Sequence, residues 1–264
     1  MSEQVLITTI DKRGVARLTM NRPDIRNAFN EELVGGICDA IGRLNADPNV
    51  RVIVLTGAGK AFSAGADLNM MQRAAKYSAA ENKDDARRLG HMLSSIYHAP
   101  KPTVALVNGP AMGGGLGLIA ACDIAIGADT AFFSLSEVKL GLIPAVISPF
   151  VIQAITVRQA RRLFITGERF DAAEAQRIGL LHTVVDADAL NDALEEMLSD
   201  LLVCGPHSQA LAKELIGKVA YRPLGDAVME ETAGMIAKTR ASDEGKEGVN
   251  AFLEKRKPNW LKTE

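Results

Sequence analysis

Two short hydrophobic runs each end in a loop of small residues that leads into a stretch with helical periodicity. Residues 52–55 precede the loop 57–67, and residues 103–107 precede the loop 108–117. Short apolar runs bounded by glycine or proline are typical of buried strands. Strands that alternate with helices favour an α/β layer architecture, in which functional residues lie on the loops after the strands. This pattern predicts the α/β fold class.

The two ends of the chain differ in their secondary-structure pattern. Residues 5–10 and 15–20 are rich in β-branched residues around a short polar link, which predicts a β-hairpin. Residues 30–45 carry apolar residues at steps of three and four, which predicts an amphipathic helix. We expect a mixed α/β core over residues 1–190 and a helical oligomerisation region over residues 191–264. The helical stretches predicted near the C-terminus are residues 187–202, 207–219, 224–239 and 244–255.

Charge and composition argue against several classes of function. The 264 residues carry 30 basic and 32 acidic side chains spread along the chain, so no broad positive surface for nucleic acid is expected. No apolar run of about 18 residues predicts a membrane span, and the first residues lack a signal-peptide pattern. Cys38, Cys122 and Cys204 are far apart in apolar surroundings, which predicts reduced core thiols and a cytoplasmic protein. No histidine or cysteine spacing is typical of a metal site.

The loops 57–67 and 108–117 are the first candidates for a ligand site. Their glycines and alanines let a ligand approach the main chain, and unpaired N–H groups at a helix start bind negative charge. Two such loops can converge on one oxygen atom. For either loop alone, a simple tight turn is the alternative interpretation. Their joint occurrence after two strands favours a binding site.

Two other enzyme classes share parts of these loops. Residues 115–120 match the dinucleotide pattern G-x-G-x-x-A, but five residues separate this pattern from the strand end, whereas the fingerprint begins in the first turn. Ser63 lies in the sequence Ala-Phe-Ser-Ala-Gly, which lacks the first glycine of the G-x-S-x-G elbow of serine hydrolases. None of the four histidines is marked by its neighbours as the base that a hydrolase requires.

Glu137 is the clearest candidate for acid–base chemistry. It follows the largely apolar residues 131–136 and precedes Val138 and Leu140. A carboxylate beside apolar walls can have a raised pKa and exchange protons near neutral pH. An acid at a helix start or on the surface is the alternative, and the local sequence leaves both interpretations open.

Successive segments of the chain resemble the enoyl-CoA hydratase/isomerase (crotonase) family in order and spacing. The matching segments are residues 21–23 with 27–28, 61–68, 102–115 with 121–123, 133–144, 166–167 with 172–175, and 251–257. Nearly the whole chain is covered. The resemblance implies a crotonase-like spiral of ββα units followed by a C-terminal helical trimerisation region, assembled as a homotrimer or homohexamer.

The resemblance also implies roles for particular residues. It assigns the two backbone N–H groups of the family's oxyanion hole to Ala64 and Gly114, and it matches Glu137 to a catalytic glutamate. The substrate is an acyl-CoA thioester, so coenzyme A is part of the substrate and no separate cofactor is expected. The residues implied to hold coenzyme A, the last two from a neighbouring subunit, are Arg26, Ala28, Ala66, Asp67, Leu68, Phe252 and Lys255.

One position departs from the hydratase pattern of this family. Hydratases have a further glutamate where this chain has Gly117, so a single carboxylate is evident here. Family members with one glutamate include Δ3,Δ2-enoyl-CoA isomerases. Residues 139–149 nevertheless resemble bacterial hydratases that act on methyl-branched glutaconyl-CoA esters in leucine and acyclic-terpene breakdown. We therefore expect hydration of a 2-enoyl-CoA, with Gly117 leaving room for a water site, and isomerisation or noncatalytic acyl-CoA binding as alternatives.

Overall fold

The computed structural model describes residues 4–261 and contains a six-stranded sheet. Its strands are β1 (Leu6–Ile10), β2 (Val15–Met20), β3 (Val52–Gly57), β4 (Thr103–Val107), β6 (Ile124–Ala128) and β9 (Thr183–Val185), in that spatial order. The pair β1 and β2 is antiparallel, which confirms the predicted hairpin, and every later pair is parallel. The strands predicted at 52–55 and 103–107 are also confirmed.

A second, three-stranded sheet positions the candidate acid. Its strands are β5 (Ala111–Met112), β7 (Phe132–Ser134) and β8 (Arg169–Asp171), with β7 in the centre. In the parallel pair of β5 and β7, Met112 lies opposite Ser134, and the next N–H, from Gly113, donates to the carbonyl of Ser134 at 3.0 Å. This register places the segment after β7, which contains Glu137, beside the glycine cluster after β5.

Helices connect the strands and form the C-terminal region. The helices within the core are α1 (Glu31–Ala46), α2 (Leu68–Ala74), α3 (Ala79–Tyr97), α4 (Gly114–Ala121), α5 (Ser148–Thr166) and α6 (Ala172–Arg177). The C-terminal helices are α7 (Leu190–Val203), α8 (Pro206–Val219), α9 (Asp226–Ala241) and α10 (Asp243–Leu253). The predicted helical tail is confirmed. Residues 1–3 and 262–264, at the outer ends of the two predicted regions, lie outside the described residues.

Helix α1 shows how the sequence sets these boundaries. The side chain of Asn30 accepts a hydrogen bond from the N–H of Leu33, so it caps the first turn. One face of α1 is buried, and this face carries Leu33, Val34, Ile37, Ala40, Ile41 and Leu44. These positions recur at steps of three and four, the spacing of one helix face. The predicted amphipathic helix is confirmed.

The large sheet separates two hydrophobic clusters because side chains alternate along each strand. Ile53 and Leu55 of β3 belong to the larger cluster, together with buried residues of α1 and α4. Val52 and Val54 point to the smaller cluster, where they pack with the buried face of α7, including Leu194. The sheet is therefore covered by helices on both faces, and the site loops emerge from strands that are held on both sides.

The structure corrects one prediction about the cysteines. Cys38 and Cys122 are half-buried, as expected of packed thiols, whereas Cys204 is exposed at the end of α7. Within residues 4–261, no helix combines the length and hydrophobicity needed to cross a lipid bilayer. No group of three or more potential metal-binding side chains occurs in the same part of the chain.

Candidate active site

The two glycine-rich loops lie against each other, as expected for a shared site. Ser63 and Ala111 form a parallel β-bridge between them. The N–H groups of Phe62 and Ser63 donate to the carbonyl of Pro110 at 3.0 and 3.2 Å. The N–H of Met112 donates to the carbonyl of Ser63 at 2.9 Å. These hydrogen bonds fix the loop after β3 to the loop after β4 before α4 begins.

A third segment, between β2 and α1, holds the first loop from its other side. Asn27 is fully buried and has a φ of 55°, in the left-handed region that asparagine tolerates better than most residues. Its side-chain amide donates to the carbonyls of Ala58 and Ala61 at 2.9 and 2.8 Å. Its side-chain oxygen accepts a hydrogen bond from the N–H of Arg22 at 2.9 Å. The side chain of Asn27 therefore holds its own segment, at Arg22, against the loop after β3, at Ala58 and Ala61.

Phe29 joins this segment to the end of the loop. Its N–H donates to the carbonyl of Gly65 at 2.6 Å, and its carbonyl accepts from the N–H of Asp67 at 2.9 Å. In such a bridge the N–H of the intervening residue, Ala66, points away from Phe29. Ala66 is exposed, and no residue between 4 and 261 accepts a hydrogen bond from its N–H. Ala66 therefore presents an open backbone donor.

Gly114 presents a second open donor. It is the first residue of α4, where N–H groups have no acceptor inside the helix. A Cβ on Gly65 would lie 3.4 Å from the nitrogen of Gly114, so the loop that carries Ala66 passes directly beside it. A Cβ on Gly114 would lie 2.7 Å from Cε2 of Phe29, closer than side chains approach. Packing against Phe29 therefore requires glycine at position 114.

The prediction that assigns the first oxyanion donor to Ala64 is contradicted by the hydrogen bonds. The N–H of Ala64 donates to the carbonyl of Arg26 at 2.8 Å, so the protein itself already satisfies it. The open N–H lies two residues further on, at Ala66, a residue expected only to contact coenzyme A. The pair of backbone donors that can hold a developing oxyanion is therefore Ala66 with Gly114.

Glu137 lies next to the start of α4 with an unpaired carboxylate oxygen. It belongs to a short 3-10 helix, Ser136–Leu140, and its Oε1 lies 2.9 Å from the place that a Cβ on Gly113 would occupy. Its Oε2 is buried, and no described residue forms a hydrogen bond with it. Burial away from water raises the pKa of the Glu137 carboxyl above its usual range. Such an acid can carry a proton beside a bound carbonyl compound.

The expectation that Gly117 leaves room for a water site is wrong. Gly117 lies in α4 and is buried. A Cβ added there would lie 2.9 Å from Cβ of Ile147 and 3.3 Å from Cδ1 of Leu93. The space beside Gly117 is therefore filled by hydrocarbon, which excludes both a water molecule and a longer side chain at this position.

Comparison with known proteins identifies the family of the chain. The profile of the family described as enoyl-CoA hydratase/isomerase matches residues 11–263. The chain belongs to this family. Enoyl-CoA hydratase AKT6-1 of Alternaria alternata is 35% identical over 255 residues, which cover 94% of this chain and 81% of that protein. The chain therefore shares nearly its whole length with a relative of the family.

Solved structures of similar proteins share the fold. The crystal structure of an enoyl-CoA hydratase from Shewanella pealeana is 41% identical, with a TM-score of 0.94, over 97% of this chain and 96% of that chain. Pseudomonas aeruginosa AtuE is 40% identical, with a TM-score of 0.93, over 98% of this chain and 100% of its own. The predicted crotonase-like fold and the predicted enzyme family are thereby confirmed.

Two of the segments that the family resemblance links to coenzyme A, residues 26–28 and 66–68, lie on the paired loops that carry the open donor of Ala66. Ala28 is buried, whereas Arg26 and Leu68 are exposed. Two further predicted contacts, Phe252 and Lys255, lie in the tail, at the end of α10 and just after it, and both are exposed.

Asp67 has a structural use within the same segments. Its carboxylate caps α2 by accepting from the N–H of Asn69 at 2.7 Å, and it accepts from the guanidinium of Arg22 at 2.9 Å. Desolvation opposes ionisation, but these partners outweigh it and hold the pKa of Asp67 below its usual range. Because Asp67 is only 6% exposed, its carboxylate stabilises the loop and is not open to a ligand.

Membership of the enoyl-CoA hydratase/isomerase family excludes the two rival enzyme classes, and local contacts explain why their motifs are misleading. The hydroxyl of Ser63 donates to the carbonyl of Asn27 at 2.9 Å and accepts from the N–H of Gly65, and Ser63 is fully buried. It is therefore a structural serine. Gly115, the first glycine of the dinucleotide pattern, packs against the carbonyl of Ser63, where a Cβ would lie at 2.8 Å.

The raised pKa of Glu137 predicts a pH-dependent stability difference. Below the pKa that the Glu137 carboxyl has in the unfolded protein, this carboxyl is neutral in both the folded and the unfolded state. Glu137→Gln should therefore leave the melting temperature unchanged at such pH. As pH rises through the higher folded pKa, ionisation of the buried carboxyl destabilises the wild-type protein but not the variant. Glu137→Gln should then be more stable by a few degrees, since roughly 2–4 °C corresponds to 1 kcal/mol in proteins of this size.

Thermal unfolding of both proteins from pH 4 to pH 8 measures this difference. Glu196→Gln, at an exposed position of α7, is the matched control. The difference in melting temperature between this variant and wild type should not grow with pH as it does for Glu137→Gln. A Glu137→Gln offset that is constant across the pH range would contradict the burial of an ionisable carboxyl.

Proposed function

We propose that the protein is an enoyl-CoA hydratase that adds water across the double bond of a 2-enoyl-CoA. The observation that carries this proposal is the juxtaposition of the unpaired Glu137 carboxylate with the start of α4, beside the open N–H groups of Ala66 and Gly114. Relatives that align over nearly the whole chain are named enoyl-CoA hydratases, which supports the same activity here.

The proposed reaction uses these groups in two steps. The oxygen of water forms a bond to Cβ, its proton passes to Glu137, and the electron pair of the double bond moves onto the thioester oxygen. The N–H groups of Ala66 and Gly114 stabilise that enolate oxygen, since fixed donors act most strongly where charge develops. Glu137 then gives the proton to Cα, and the thioester carbonyl reforms. The product is a 3-hydroxyacyl-CoA.

The substrate that we propose first is a branched, glutaconyl-type 2-enoyl-CoA. The resemblance of residues 139–149 to hydratases of methyl-branched glutaconyl esters supports it. Coenzyme A is part of this substrate, so the proposal includes no separate cofactor.

The function is tested by incubating the protein with 3-methylglutaconyl-CoA and with straight and branched 2-enoyl-CoAs in oxygen-18 water. The expected product gains the mass of one water molecule and carries the label on its new hydroxyl. If none of the thioesters is hydrated while 3-enoyl-CoAs shift their double bond without gaining mass, the hydratase proposal is wrong.

Isomerisation of 3-enoyl-CoAs is the second candidate, and one observation favours it. Ile147 fills the space beside Gly117, so Glu137 has no carboxylate partner at this position. A single acid can remove a proton at one carbon and return it to another without handling water. Binding of acyl-CoA without turnover of either substrate class would instead indicate a noncatalytic homologue.

We further propose that the tail completes the site in a homotrimer or homohexamer. Phe252 is 81% exposed, and Lys255 is exposed two residues beyond α10, which leaves both available to a neighbouring subunit. Phe252→Ser should weaken association in sedimentation experiments. Lys255→Ala should raise KM for acyl-CoA with little change in kcat, because it removes a cation that can meet a phosphate.

The exposed neighbour Lys257 supplies the control, and Lys257→Ala should leave KM near the wild-type value. If neither Phe252→Ser nor Lys255→Ala changes the oligomeric state or the affinity for acyl-CoA, the shared site is wrong.

A further inference from the structure

Two glycines at α4 have different neighbours: Gly113 is the N-cap residue of the helix, and Gly117 lies within it. Gly113 lies beside Oε1 of Glu137, whereas Gly117 lies beside Ile147 and Leu93. The two glycines are four residues apart, so about 6 Å separates them along the helix. A carboxylate and a hydrocarbon wall therefore lie about one helical turn from each other.

Ile147 is held firmly in this position. It is 3% exposed and belongs to the larger hydrophobic cluster. It is the N-cap residue of α5, and its carbonyl accepts from the N–H groups of Phe150 and Val151 at 3.2 and 3.0 Å. The close approach to a Cβ at position 117 includes the Cβ of Ile147, which moves only with its backbone. A rotamer change therefore cannot clear the space.

We propose that Ile147 is a specificity-determining residue that closes the position of a second acid–base side chain. Its hydrocarbon occupies the volume that any side chain at position 117 would need, and it thereby requires Gly117. Position 117 then supplies no proton carrier in addition to Glu137. The steric part of the proposal stands on packing alone, and its chemical part rests on the proposed hydration.

The chemical consequence concerns how water is activated. With two carboxylates, one can accept the proton of water while the other supplies a proton to Cα. With Ile147 in place, position 117 supplies no second carboxylate, so Glu137 has to perform both transfers in sequence. The acid limb of the pH–rate profile should then show one ionisation.

A double-mutant cycle of Gly117→Ala and Ile147→Ala tests the steric part through melting temperatures. In wild type, Gly117→Ala forces a methyl group against Ile147, and overpacking of about 1–3 kcal/mol corresponds to a loss of roughly 2–12 °C. In the Ile147→Ala variant, the branched hydrocarbon beyond Cβ is removed, whereas the Cβ of residue 147 still lies 2.9 Å from the added methyl group. Gly117→Ala is therefore expected to lower the melting temperature less in this variant than in wild type.

The matched control is Gly42→Ala, at an exposed position of α1 where no atom lies within 4 Å of the added methyl group. It should raise the melting temperature in both backgrounds, because alanine favours helix. Equal losses from Gly117→Ala in the wild-type protein and in the Ile147→Ala variant would overturn the steric part. No turnover is needed for this measurement, so it stands even if the hydratase proposal fails.

The chemical part is tested with Gly117→Glu combined with Ile147→Ala, which introduces a second carboxylate about one helical turn from Gly113, the glycine beside Glu137. Its pH–rate profile for hydration should gain a second ionisation, because two neighbouring carboxylates titrate as a coupled pair. Superimposable profiles of this variant and Ile147→Ala would overturn the claim that Ile147 restricts the site to one acid. A wild-type protein that hydrates no 2-enoyl-CoA would refute the proposed function separately.

Discussion

Replacement of Glu137 with Gln is expected to lower turnover of the 2-enoyl-CoA by at least ~10²-fold, the lower end for loss of a positioned acid–base group. The amide has nearly the shape of the carboxyl, so it fits the same space beside Gly113. It cannot accept a proton from water and return it to Cα. The decrease should therefore appear in kcat, with little change in KM for the thioester, and steady-state kinetics measure both values.

The pH dependence of the wild-type enzyme gives this prediction a second observable. If Glu137 begins the cycle ionised, kcat/KM falls as pH falls through its pKa, which burial raises above the usual range of glutamate. Glu137→Gln should remove that limb. Glu196→Gln serves as the control at an exposed site. Near-normal activity of Glu137→Gln, with a normal melting curve, would show that another group carries the proton.

The architecture was accessible from local patterns in the sequence. The hairpin of β1 and β2, helix α1 with its cap at Asn30, and the helical tail each depend on periodicity and on residues within a few positions of one another. The convergence of the two loops was also predictable, because adjacent parallel strands bring their following loops to the same edge of the sheet.

The identity of the first oxyanion donor was not accessible in the same way. Ala64 and Ala66 are both small residues in the same loop, and nothing in the local sequence distinguishes them. The distinction comes from Arg26 and Phe29, which lie more than thirty positions earlier and bond to opposite ends of the segment. A choice between two neighbouring N–H groups depends on such long-range pairing, which a local motif does not contain.

Gly117 illustrates a second limit of the sequence. The sequence shows that position 117 is a glycine, but the reason for the glycine is Ile147, which lies thirty positions later at the start of α5. An absent side chain suggests free space, whereas here a distant residue has filled that space. Absence of a catalytic residue therefore predicts a change of chemistry but does not show what occupies its place.

Loss of the open donor at position 66 should decrease turnover by about 10²–10³-fold, the usual effect of removing one oxyanion donor. Ala66→Pro removes only an N–H that no described residue uses, because Phe29 bonds to Gly65 and Asp67 on either side. Ala66→Ser keeps the N–H and is the control, with folding compared by melting temperature because proline also fixes φ. Since the enolate is stabilised more than the bound substrate, kcat should fall further than the affinity for acyl-CoA. If Ala66→Pro folds and turns over at the rate of Ala66→Ser, the donor lies elsewhere and the pairing of Ala66 with Gly114 is wrong.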